Sequence, residues 1–88
     1  MRDAERIIEA ISKAWPQVTV RQLRIKHLGA DDDGIWFFSQ TNSEFEVQIE
    51  SSTGMCPFLI ETNEDETRTT AYSVEETTSI LRRQLRLD

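Results

Sequence analysis

The sequence predicts an α+β domain: an antiparallel meander of four or five strands with an N-terminal and a C-terminal helix packed on one face. The element order is α-β-β-β-β-(β)-α over residues 1–88. Three observations carry this reading. Phe45, Val47 and Ile49 alternate with Glu44, Glu46, Gln48 and Glu50, the period of two that sets one side of a strand in a core and the other in water. Apolar runs over 34–40 and 55–61 flank that strand, each separated from it by short turn-forming residues. Helical periodicity of apolar residues is found at the two ends of the chain instead.

Residues 3–15 read as the first helix. Ala4, Ile7, Ile8, Ile11, Ala14 and Trp15 recur at three- and four-residue spacings, with Arg6, Glu9 and Lys13 outside the stripe. Asp3 suits the N-cap, and Pro16 ends the helix because the residue before a proline avoids helical geometry. Trp15 at this spacing reads as core.

Residues 18–27 read as the first strand, with a break in parity. Val18 and Val20 share one parity, and Leu23, Ile25 and His27 the other. A bulge near Arg21 and Gln22 reconciles them and places Leu23 and Ile25 inward, with Arg24 and Lys26 on the outer face. Residues 28–33 form a loop. Its Asp31-Asp32-Asp33-Gly34 run lacks the spacing of an EF-hand, since the twelfth position counted from Asp31 is Asn42, so it reads as turn chemistry and no metal site is expected.

The three central strands fix one another's faces. A two-residue loop at Thr41-Asn42 sets Phe45 opposite Phe38 and Val47 opposite Trp36. A two-residue loop at Thr53-Gly54 sets Ile49 opposite Phe58 and Val47 opposite Ile60. Odd-length loops spoil the apolar match. The inner face then holds Trp36, Phe38, Phe45, Val47, Ile49, Cys56, Phe58 and Ile60. Ile35, Phe37 and Leu59 are left pointing outward among Glu44, Glu46, Gln48 and Glu61, with Phe37 facing Glu46 and Gln48 between Ile35 and Leu59.

Residues 62–66 form an acidic turn, and 67–72 are rich enough in Thr and Tyr for a fifth, edge strand on which Arg68 discourages further pairing. Ser73-Val74-Glu75-Glu76 matches a capping box, with the Ser73 hydroxyl accepting from the Glu76 amide and the Glu76 carboxylate from the Ser73 amide. Val74, Thr77, Leu81 and Leu85, flanked by Ile80, make the inner stripe of the second helix. Arg82, Arg83 and Arg86 sit at its end, where the helix dipole favours cations.

Composition bounds the function. The net charge of −6 is uneven: residues 1–30 carry +3, residues 31–76 carry −11 and residues 77–88 carry +2. An acidic centre repels phosphate backbones, so nucleic acid is not an expected partner, whereas a basic protein is. One cysteine excludes an internal disulfide and suits a reducing cytosol. No apolar run approaches the roughly 20 residues of a membrane span, and a cytoplasmic location is expected without membrane association.

Little points to catalysis. Cys56 with His27 is the one nucleophile–base pair available, and both fall on the inner face, where a thiol without cationic neighbours is inert. There is no Gly-rich phosphate loop and no Cys/His metal spacing. No catalytic residue, metal or cofactor is expected, and a Cys56-dependent enzyme or redox sensor is the least favoured reading.

The segments at 30–38, 47–52, 54–61 and 73–77, including Asp31-Asp32-Asp33-Gly34-Ile35-Trp36-Phe37-Phe38 and Gly54-Met55-Cys56-Pro57-Phe58-Leu59-Ile60-Glu61, resemble a group of small bacterial proteins of unassigned activity. The resemblance implies a bacterial origin and supplies no site residues. In size, acidity and single-sheet build the chain is also similar to immunity proteins that neutralise secreted toxins. The expected function is that of a protein-binding module. Ile35, Phe37 and Leu59 would anchor a basic partner within a rim of Glu44, Glu46, Gln48 and Glu61. A homodimer through the same face is the alternative.

Overall fold

The computed structural model describes residues 1–23 and 34–87. The elements follow one another as α1 (Asp3–Ala14), β1 (Val18–Gln22), β2 (Ile35–Gln40), β3 (Val47–Glu50), β4 (Phe58–Thr62), β5 (Arg68–Ala71) and α2 (Val74–Gln84). All five strands form one antiparallel sheet in sequence order, the α+β meander that the alternation predicts. Among the described residues no helix is long and apolar enough to cross a membrane.

Both helices cover one face of the sheet. Ala4, Ile7 and Ile11 of α1 and Ile80 and Leu81 of α2 join Trp36, Phe38, Val47, Ile49, Phe58 and Ile60 in a single buried cluster. Phe38, Phe58, Val47 and Ile49 are fully buried, which is the inner face assigned from parity. Phe45 and Cys56 lie at its margin, half-buried. Ala14, placed on the inner stripe by spacing, is exposed, because α1 ends there and the chain turns away through Trp15. Leu87, beyond the stripe read for α2, is buried instead.

The pairing register differs from the one the two-residue loops give. Phe38 pairs with Val47 and Trp36 with Ile49, and across the next ladder Ile49 pairs with Ile60 and Val47 with Thr62. Each ladder is displaced by two residues, so the faces survive and the partners change. The turn over Thr41-Asn42 does form, closed by the Ser43 amide donating to Gln40 O at 3.0 Å, with Asn42 at φ 67°. Residues 43–46 beyond it lie outside β3, the Phe45 amide donating to Ser43 Oγ at 3.2 Å, and Asn63 binds them on the side that faces β4. Its Oδ1 accepts from the Glu46 amide at 3.0 Å and its Nδ2 donates to Glu44 O at 2.7 Å. With the Asn63 amide donating to Glu46 O at 3.2 Å, the backbone and side chain of one residue at β4's exit satisfy the groups that face it.

The loop from β3 to β4 is longer than predicted because α1 docks on it. Gly54, at φ 74°, closes a turn onto Ser51 O. Its own carbonyl accepts from the Ala4 amide at 2.9 Å. Arg2, not Asp3, is the N-cap of α1. Asp3 is the first helical residue, and its Oδ2 accepts from the Cys56 amide at 3.0 Å. The Glu5 carboxylate reaches back to the Arg2 amide at 2.9 Å. At α2 the Ser73 hydroxyl accepts from the Glu76 amide at 3.0 Å as predicted, but the Glu76 carboxylate accepts from the Tyr72 amide rather than that of Ser73.

Through Gln22, β1 runs without a bulge: Val18 to Gln22 pair regularly with Gln40 to Trp36, and the Leu23 amide continues the ladder to Ile35 O at 2.9 Å. Val18 and Val20 win the inner face, so Arg21 points out and Leu23 shares its parity. The readings for Arg24, Ile25, Lys26, His27 and the Asp31–Asp33 run lie outside the described residues.

Candidate functional site: the open sheet face

The face opposite the helices is crossed by two rows of side chains. One row is Arg21, Phe37, Gln48, Glu61 and Arg68; the other is Ile35, Glu50, Leu59 and Thr70, with Leu23 opposite Ile35. Ile35, Phe37 and Leu59 are half-buried on this face, as parity predicts. Their neighbours differ from those predicted. Gln48, not Glu46, faces Phe37, and Glu50, not Gln48, lies between Ile35 and Leu59. The displaced register is the reason.

The acidic rim is largely neutralised within the molecule. Arg21 Nη2 lies 3.1 Å from Glu46 Oε2, and its guanidinium carbon is 4.4 Å from the centre of the Phe37 ring. Arg21 therefore reaches past β2, roofs Phe37 and satisfies Glu46 in one span. Arg68 Nε pairs with Glu61 Oε1 at 3.1 Å. Glu44 is exposed in the β2–β3 connection, outside the strand rows. Glu50, half-buried between two aliphatic residues, has no ion-pair partner among the described residues. Sequence reasoning missed Arg21 as a member of this face and, although alternation turned Glu50 outward, did not set it between Ile35 and Leu59. The Val18–Val20 parity, continued without a bulge, is the signal that places Arg21 there.

Cys56 offers no activated nucleophile. Burial first, then the neighbouring Asp3 carboxylate, push the thiol up to about 11 from its ordinary 9.0. A catalytic thiol requires the opposite shift. His27, its sequence-suggested partner, lies outside the described residues. Among the described residues no group of three or more His, Cys, Asp or Glu side chains is arranged to hold a metal ion.

Comparison with known proteins gives no match: no family model, no curated protein and no solved structure aligns significantly with this chain. What the fold and the face define is a class by architecture, a small α+β domain with one sheet face covered by helices and the other open.

Proposed function

We propose that the protein is a binding module for a protein partner, docking through the open sheet face and centred on Ile35, Glu50 and Leu59. The supporting observation is a Glu50 carboxylate that has no ion-pair partner among the described residues and is set between two aliphatic side chains. Such a site suits an Arg or Lys presented from an apolar surface, because the carboxylate gains a charge-assisted bond as the flanking chains exclude water. Arg21 closes Glu46 and Arg68 closes Glu61, and Glu44 lies outside the strand rows, so Glu50 selects where the basic group lands. Neutralising a secreted toxin is one form this capture takes, and a regulatory adaptor is another; in either, the module works in a bacterial cytoplasm.

The test is a photo-crosslink from position 59 in the source cells, followed by titration of the purified captured protein. Leu59→Glu and Glu50→Lys are expected to weaken binding about tenfold or more, while Glu9→Lys on α1 leaves it unchanged. Affinity should fall with added salt. Equal binding by Leu59→Glu and Glu50→Lys would overturn the assignment.

A second reading is a two-fold dimer through the same face. Its support is that the Arg21–Glu46 and Arg68–Glu61 pairs remove much of the like-charge repulsion such a contact would meet. Light scattering separates the two: a dimer that strengthens with salt favours self-association.

A further inference from the structure

A cavity of about 520 Å³ opens at the other side of the molecule, where the end of α2 meets the β2–β3 and β4–β5 connections. Phe45 and Thr62 line it from the sheet, Glu64 and Asp65 from one connection, and Arg83 and Arg86 from α2 and its exit. We propose that it is a binding site for a small zwitterion of the amino-acid or short-peptide class, independent of the sheet-face reading.

Four features point to this chemistry. The cavity holds two guanidiniums and two carboxylates, yet the ion pairs among the described residues are Arg2–Glu5, Arg21–Glu46 and Arg68–Glu61, and none closes across it. Asp65 Oδ1 already accepts from the Thr67 amide at 2.8 Å, which fixes that side chain to its own turn and leaves Glu64 the carboxylate freer to reach an ammonium group. The helix-end carbonyl of Leu85, which would repel an anion, is already taken by Gln40 Nε2 at 2.6 Å. Thr62 Oγ1, in the wall and closed to solvent, has no hydrogen-bond partner among the described residues, so a χ1 rotation that brings it to a ligand breaks no bond.

Arg86 is held there at a conformational cost. The Leu87 amide donates to Arg82 O at 2.9 Å and the Arg86 amide to Arg83 O at 3.2 Å, a Schellman closure that puts Arg86 at φ 56°. Glycine is the ordinary occupant of that position. A guanidinium kept where a hydrogen atom would be more stable is a feature of binding sites rather than of scaffolds. In the assigned pose the ligand carboxylate bridges Arg83 and Arg86, the ammonium meets Glu64, and the apolar part lies against Phe45. The volume falls within the roughly 300–1,000 Å³ usual for small-ligand sites.

The experiment is an amide NMR titration of the intact protein with a panel of free amino acids and unblocked dipeptides. The expected result is saturable shifts centred on Phe45, Thr62 and residues 83–86 for at least one probe. Binding should weaken about tenfold or more when that probe's carboxylate is amidated or its amine acetylated. Arg86→Gly supplies the control for folding: it should raise Tm and still weaken binding, as should Glu64→Gln. No saturable shift up to about 10 mM of any probe, or equal binding of the blocked forms, overturns the proposal.

Discussion

The guanidinium of Arg21 lies 4.4 Å from the centre of the Phe37 ring while its Nη2 pairs with Glu46 at 3.1 Å. One side chain thereby covers the aromatic residue of the open face and neutralises the carboxylate beside it. Arg21→Ala should cost only about 0.5–1 kcal/mol in urea unfolding, since both contacts are largely exposed. The same variant should bind a hydrophobic dye more strongly. A double-mutant cycle with Phe37→Leu should return a coupling of about 0.5 kcal/mol; strict additivity would show that the stack contributes nothing.

Gly34 is the position where a small change should do most damage. A Cβ there would stand 2.2 Å from Ser51 O, in backbone that the Ser51 amide already binds to Gly34 O at 2.8 Å. Gly34→Ala must push β2 away from the β3 exit, at about 1–3 kcal/mol or more. Thermal unfolding of the variant measures it, and an unchanged Tm would contradict the close approach.

The thiol of Cys56 and the carboxyl of Asp3 should give opposite pH signatures. The folded thiol titrates at about 11 against an ordinary 9.0, so its contribution to stability is complete below pH 9 and lost as pH rises towards 11. Asp3 is held below its ordinary 3.8, chiefly by the Cys56 amide, so its contribution is present above that value and fades as pH falls through the lowered one. Alkylation of native Cys56 should be slow at pH 8 and faster in Asp3→Asn, with burial still retaining most of the protection. Rapid alkylation of the native protein at pH 8 would contradict the half-buried, carboxylate-shielded thiol.

The parts of the fold legible in the sequence are those governed by periodicity. Trp36, Phe38, Val47, Ile49, Phe58 and Ile60 sit beneath the helices because alternation is a local property of each strand. The partners across each ladder depend on contacts from remote residues. Asn63 binds the backbone of Glu44 and Glu46 just before β3, and the first turn of α1 occupies the loop between Gly54 and Cys56. Neither contact leaves a mark in the hairpin sequences themselves. The candidate face was legible at Ile35, Phe37 and Leu59, whose outward parity is unaffected by a two-residue slip. Its electrostatics were not, because Arg21 was read beside a bulge that does not form, and Glu50 moves next to the aliphatic pair only through that slip. The cavity at the end of α2 joins residues from three separate parts of the chain, and no spacing rule connects Phe45, Glu64 and Arg86.

The bonds from Ala4 to Gly54 and from Cys56 to Asp3 join the start of α1 to the tip between β3 and β4, some fifty positions away in sequence. Fraying of that helix from its beginning must therefore unfasten the central hairpin as well. In hydrogen exchange the amides of Ala4 and Cys56 should open in one cooperative event rather than two. The earliest residues of the chain thus set how long the middle of the sheet stays closed.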